Sequence, residues 1–258
     1  MRTFLVGFVF AVAALAADRP VQVLFVTGQS DVRYHDWRVS TPYLRQMLEQ
    51  TGRFAAEVCE APETLTPAAL ARADVLILNY NGPRWGAAAE KAVEEFVRSG
   101  KGMVAVHGVS YGPLIGTELQ PDGKWRLVEP WPAYPEMLGA TWAPEAIGHA
   151  RRHVFQVKAV DRTHPLGQAL PAEFEADDEL YHKMTLKPAA HIIAAAFDDP
   201  AIGGTGKDEP VLWVVPFGEG RVVHFTLGHD RKSMAKPGFV QAFTLSTEWA
   251  ATGKAALQ

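Results

Sequence analysis

Short apolar runs alternating with segments of helical periodicity are the feature that most limits what this chain can fold into. Val21-Gln22-Val23-Leu24-Phe25-Val26 ends at Thr27-Gly28, and a run with so little polar alternation suits a parallel strand covered on both faces. Thr41-Pro42 then reads as a helix start, with Thr41 as the cap and Pro42 in the first helical position, because Leu44, Met47 and Leu48 follow at helical spacing. Phe54 to Val58 reads as a short strand, and Thr66-Pro67 opens the helix that contains Leu70. Asp74 to Tyr80 is a third strand; Ala87 to Arg98 is a helix with Val93, Phe96 and Val97 on one face and Gly100 as its stop. Gly102 to His107 is a fourth strand. Strands alternating with helices predict an α/β fold: a three-layer α/β/α sandwich around a mostly parallel sheet.

The rhythm breaks between Gly108 and Ala150, a stretch rich in Gly, Pro and Trp that includes Trp125, Trp131 and Trp142. Long irregular segments on a rigid sheet commonly carry binding groups, so this one is expected to wall or cover a site. Strands return at Val154 to Val157, His191 to Phe197 and Pro210 to Val215. A turn at Gly218-Glu219-Gly220 joins the last of these to a hairpin partner, Arg221 to Leu227. Pro237 to Thr252 closes with a helix. No linker or charge run marks a boundary, so residues 18–258 are expected to form one domain.

Residues 1–17 carry a different signal. Arg2, the uncharged run from Phe4 to Ala16 and the small-x-small pattern Ala14-Leu15-Ala16 predict an export signal cleaved after Ala16 or Ala17. The run is shorter than the roughly 20 residues that cross a bilayer, so no membrane association is expected after cleavage. The protein is then periplasmic or secreted. A net charge of −4 supplies no basic field for phosphates, which argues against nucleic-acid partners. Cys59 is the one cysteine, so no internal disulfide can form; it has no Gly-flanked turn around it and reads as a packed small side chain.

In open α/β sheets ligands bind beyond the carboxyl ends of strands, where loops diverge. The polar residues that follow strands here include His35 and Trp37, Tyr80 and Asn81, His107, and His229 with Asp230. His107 lies between a buried strand and Gly108, the place of a nucleophile elbow, yet imidazole suits a general base, a metal ligand or a hydrogen-bond donor instead, or else a ring that simply bonds a neighbouring backbone group. His229 is expected to meet it across the rim. Asp230 either orients His229, binds sugar hydroxyls or caps a helix. In Asp177-Asp178-Glu179-Leu180-Tyr181, Glu179 would complete a His/His/Glu arrangement suited to acid/base work or to a divalent metal such as zinc, with His149 as a further ligand beside His107 and His229. His149 and His153 would share a face if their segment were helical. Trp37, Tyr80 and Tyr181 can each stack on a sugar ring or pack in the core.

Taken in order, Thr27-Gly28-Gln29 with His35-Asp36-Trp37, Asn79-Tyr80-Asn81-Gly82, Val106-His107-Gly108, Gly148-His149, His164-Pro165, Asp178-Glu179-Leu180-Tyr181, Asp208-Glu209-Pro210-Val211, Gly218-Glu219-Gly220-Arg221-Val222 and Leu227-Gly228-His229-Asp230 resemble the ThuA-like, trehalose-utilisation family. The resemblance implies a class I glutamine amidotransferase-like, flavodoxin-like scaffold, with His107 at the point of the amidotransferase cysteine and therefore no amidotransferase activity. It also implies action on a sugar or glycoside in trehalose-type or keto-sugar catabolism. His107, His229 and Glu179 would be catalytic, and His35, Trp37, Tyr80, Asn81, Tyr181 and Asp230 would bind a small sugar. A non-catalytic carbohydrate-binding or accessory protein on the same scaffold is the alternative, and a homo-oligomer is compatible with either.

Overall fold

The computed structural model describes residues 19–31 and 33–255, so the expected export signal lies outside the described residues. The chain begins with β1 (Val21–Val26), α1 (Trp37–Glu49), β2 (Phe54–Cys59), α2 (Pro67–Leu70), β3 (Val75–Leu78), α3 (Ala87–Arg98) and β4 (Gly102–Val106). The Trp-rich segment carries a hairpin, β5 (Thr117–Leu119) with β6 (Trp125–Leu127), then α4 (Tyr134–Leu138) and β7 (Ala140–Thr141). β8 (His153–Ala159), α5 (Pro165–Ala169), β9 (Glu173–Asp178), β10 (Thr185–Leu186), β11 (His191–Phe197), β12 (Asp208–Phe217), β13 (Gly220–Phe225), α6 (Arg231–Met234) and α7 (Pro237–Thr252) follow. No described helix is long and apolar enough to cross a membrane.

Nine strands form one sheet in the order β2-β1-β3-β4-β13-β12-β11-β8-β9. The first five are mutually parallel. The remaining pairings are antiparallel, with β12 and β8 the two strands that run against the rest. Side chains alternate across a strand, and β1 shows the result: Val23 and Phe25 join a core under α1 and α7, whereas Leu24 and Val26 join a second core under α2, α3 and α4. The apolar runs are continuous because both faces are covered. Full burial of each such Val, Leu or Phe contributes roughly 1.5–3 kcal/mol, so the two cores dominate the folding energy.

One local expectation is corrected and two segments that the residues left open are settled. α1 begins at Trp37 and not at Thr41, with Asp36 as the cap accepting from Arg38 N–H and Pro42 inside the helix. Thr41 is buried; its hydroxyl accepts from Asn79 Nδ2 at 2.8 Å and donates to Thr27 Oγ1 at 3.1 Å, tying α1 to the ends of β1 and β3. β9 lies where no strand was expected from the residues. It is an edge strand whose buried Phe174 and Ala176 alternate with exposed Glu173 and Glu175. His149 and His153 share no helix: His149 forms a bridge with Tyr181, and His153 begins β8.

Asp74, before β3, fastens the start of the sheet. Its carboxylate accepts from Gln22 N–H at 3.0 Å, from Arg19 at 2.8 and 2.9 Å and from Lys101 at 3.1 Å. Burial alone would raise its pKa, but these donors hold it at about 2. A carboxylate with a depressed folded pKa adds stability above its ordinary value of about 3.9, and that contribution disappears as pH falls through the folded value. Asp74→Ala is therefore expected to cost about 1–2 kcal/mol at neutral pH, reduced by solvent screening of exposed Arg19. Urea denaturation should show the gap closing near pH 2.

Candidate active site

The rim at the carboxyl ends of the parallel strands is shaped by backbone conformations that few residues adopt. Gly28, just past β1, has φ +115°, and a β-carbon there would lie 1.9 Å from the Glu60 carbonyl oxygen, so only glycine lets the chain turn here. The turn leads to Asp31 and His35. At the end of β4, His107 has φ +44° and opens a short 3-10 helix to Ser110. A non-glycine residue in this region costs on the order of 1–3 kcal/mol and persists where the surroundings impose it, commonly at functional sites. Here Ser110 Oγ donates to the His107 carbonyl at 2.7 Å.

Three imidazoles and one carboxylate converge on the rim. His35 Nε2 lies 3.1 Å from His107 Nε2 and 3.0 Å from His229 Nδ1. Glu179 Oε2 is 3.2 Å from His229 Nδ1 and 3.7 Å from His107 Nε2. Tyr181, stacked on His107 with centroids 4.4 Å apart, brings its hydroxyl to 2.7 Å from His107 Nε2. The outer faces are also held. His107 Nδ1 lies 2.5 Å from the Thr226 carbonyl oxygen, and His35 Nδ1 lies 2.7 Å from Asp31 Oδ1, whose other oxygen accepts from Tyr111 at 2.6 Å. Asp178 does not face the cluster. Its buried carboxylate accepts from the N–H groups of Gly228, His229 and Glu179, and so sets where His229 stands.

Burial governs the electrostatics. It depresses His107 to about 4, leaving a neutral ring at physiological pH. It would depress His229 too, but the hydrogen bond and charge of Glu179, with Asp178 and Asp230, leave that ring raised above its ordinary value. Burial would raise Glu179, yet His107 and His229 hold it well below the usual carboxylate range. Asp178 is pushed up to about 7 by burial, against the pull of its three N–H donors. Tyr111 and Tyr181 are both raised, first by burial, then Tyr111 by Asp31 and Tyr181 by Tyr111 and the nearby acids, so both hydroxyls stay protonated.

The cluster forms one wall of an open cavity of about 740 Å³, within the range of small-molecule sites. The Trp-rich segment supplies Trp125, Trp142 and Tyr111 to the lining, with Asn81 and His149. Of the site residues named from sequence, His35, Asn81, His149, Glu179, Tyr181 and His229 line this cavity, and buried His107 lies behind them against Tyr181, His35 and Glu179.

Others do not line it. Trp37 begins α1 with Arg38 over its ring. Tyr80 is buried against Trp85, its hydroxyl donating to the Pro83 carbonyl. Asp230 caps α6 and pairs with Arg152 at 2.5 Å, the helix-capping alternative. Trp131 is core as well. His149 does line the cavity but reaches only the outer oxygen of Glu179, at 3.4 Å, while His35 occupies the place in the donor set expected of it. Asp31 and Tyr111 were missed by sequence reasoning. Asp31 left a weak signal, four residues before His35; Tyr111 left none beyond its nearness to His107.

The ThuA family model, described as trehalose utilisation, matches residues 22–250. A ThuA-like protein from Parabacteroides merdae is 25% identical, with 92% of each chain covered and a TM-score of 0.72. One from Bacteroides uniformis is 17% identical, covering 95% of this chain and 97% of that one, with a TM-score of 0.70. A glutaminase domain from Trypanosoma brucei with bound acivicin shares the fold at 11% identity and a TM-score of 0.51, over 91% of this chain and 94% of that one. No curated protein matches this chain.

Proposed function

This chain belongs to the ThuA, trehalose-utilisation family, and from that premise we propose that it is an enzyme acting on a sugar or glycoside of the trehalose or keto-sugar type. The observation that carries the reading is the cluster of His35, His107, His229 and Glu179 set in a cavity large enough for a disaccharide and faced by indole and phenol rings. Sugars offer C–H faces that pack on aromatic rings and hydroxyls that bond to groups such as Asn81 and Glu179. The cluster is where the reacting oxygen of the sugar sits, with the protonated hydroxyl of Tyr181 and the partly exposed His149 in reach to donate or accept a proton.

Glutamine hydrolysis is not part of this proposal. The residue at the strained turn after β4 is an imidazole, and Cys59 ends β2, at the edge of the sheet and three strands from β4. A thioester intermediate needs a thiol at that turn. We also propose that residues 1–17 direct export, which predicts Ala17 or Asp18 as the first residue of protein recovered outside the cytoplasm; a retained Met1 would refute it.

The test is a turnover screen of disaccharides, their 3-keto forms and glutamine. At least one sugar is expected to be converted and glutamine left intact. Sugar-dependent thermal stabilisation without conversion of any sugar would instead establish the non-catalytic, carbohydrate-binding alternative.

A further inference from the structure

We propose that His35 Nε2, His107 Nε2, His229 Nδ1 and Glu179 Oε2 together bind a divalent first-row transition metal ion, zinc by donor type, at the wall of the cavity. The inference rests on the reading of this cavity as the reaction site and adds to it the species that the four side chains hold.

Proton placement carries the argument. The Thr226 carbonyl can only accept, so His107 Nδ1 bears the ring hydrogen and Nε2 presents a lone pair. Asp31 does the same for His35, because its carboxylate accepts from Nδ1 and leaves Nε2 bare. With both rings neutral, two lone pairs thus face each other at 3.1 Å with no hydrogen between them. Glu179 adds an anionic oxygen to the same small space. His229 can give its one Nδ1 hydrogen to His35 or to Glu179, and Tyr181 can give one to His107, which still leaves the two bare nitrogens opposed. A cation among the four atoms removes this repulsion.

Spacing agrees with that assignment. Imidazole nitrogen and carboxylate oxygen bind zinc at roughly 2.0–2.2 Å, which places tetrahedral ligand atoms about 3.3–3.5 Å apart. Four of the six separations are 3.0, 3.1, 3.2 and 3.7 Å, and all six lie within 4.8 Å, so binding draws the widest pairs inward. Three imidazoles with one carboxylate suit zinc, iron, nickel or copper and do not suit magnesium or calcium. Ligand histidines characteristically give their outer N–H to a carbonyl or carboxylate, as His107 and His35 do to Thr226 and Asp31. His149 stays outside the donor set and is free to serve the substrate.

The experiment is calorimetric titration of chelator-treated full-length protein with zinc chloride, without sugar, together with the visible spectrum of the cobalt(II) form. Wild-type protein is expected to bind one equivalent and to give the intense bands of a tetrahedral cobalt site. His35→Ala should weaken zinc affinity by at least about 100-fold and Asp31→Asn by about 10–100-fold, the latter leaving all four ligands in place. His149→Ala should bind as wild type does. Absence of zinc binding by wild-type protein would overturn the inference, as would His35→Ala binding zinc with unchanged affinity. Sugar turnover by metal-free protein would overturn it while sparing the sugar assignment; zinc bound by these four residues in a protein that converts no sugar would do the reverse.

Discussion

Asp178→Ala is expected to lower the stability of the protein by about 3–5 kcal/mol, a large share of the 5–15 kcal/mol that holds a typical domain folded. The carboxylate is 1% exposed and accepts from Gly228 N–H at 2.7 Å, Glu179 N–H at 2.8 Å and His229 N–H at 3.3 Å. Alanine leaves these donors without their side-chain acceptor where water is largely excluded, each at a cost of about 1–3 kcal/mol. Gly228 has φ +116° and a β-carbon there would come within 3.0 Å of the Phe239 ring, so the loop cannot easily settle into another conformation. Asp178→Asn keeps one acceptor oxygen and should cost less, about 1–2 kcal/mol. Urea unfolding of the three proteins decides the matter; an alanine variant within 1 kcal/mol of wild type would show that the carboxylate does not organise this corner. Because Asp178 joins β9 to the turn after β13, the same change should also loosen His229.

His107→Asn is expected to reduce sugar turnover by at least about 1,000-fold, chiefly in kcat, while leaving the chain folded. Asparagine tolerates positive φ better than most residues, so the strained turn after β4 survives the change. What is lost is the inner nitrogen that faces His35, Tyr181 and Glu179. Removing a general acid or base, one of the roles expected of His107, typically costs 100- to 10,000-fold. A rise in KM with kcat unchanged would assign His107 to substrate binding alone. A folded variant with kcat within tenfold of wild type would remove His107 from the reaction altogether.

Much of the architecture could be read from residues because burial on two faces leaves an unmistakable pattern. β1, β3 and β4 are almost wholly apolar, and Gly218-Glu219-Gly220 marks the β12–β13 hairpin. What escaped was set by tertiary contacts. Acidic residues hid β9, since an edge strand can keep its polar face in water and Asp178 finds its partners in a loop 50 residues away. Thr41 resembled a helix cap because its bonds to Asn79 and Thr27 are invisible in sequence.

The site was legible to a similar depth. His107, His229 and Glu179 stand just past strand ends, and the loops bring them together as their positions implied. His35 and His149 exchanged places in the donor set because nothing in spacing reports which way a loop histidine turns. Tyr80 and Trp37 show the limit of residue type: one aromatic is buried core, the other begins a helix, and the tyrosines and tryptophans that do line the cavity are Tyr34, Tyr181 and three from the Trp-rich segment.

The central claim is that this cavity holds a sugar with a reacting oxygen against the imidazole cluster. A crystal structure of His107→Asn soaked with the converted disaccharide tests it most directly, since slowed turnover preserves the bound sugar. The prediction is a ring packed on Trp125 or Trp142 with one oxygen within hydrogen-bonding reach of His229 or Glu179. A sugar bound elsewhere on the protein, with the cavity filled only by water, would contradict the account.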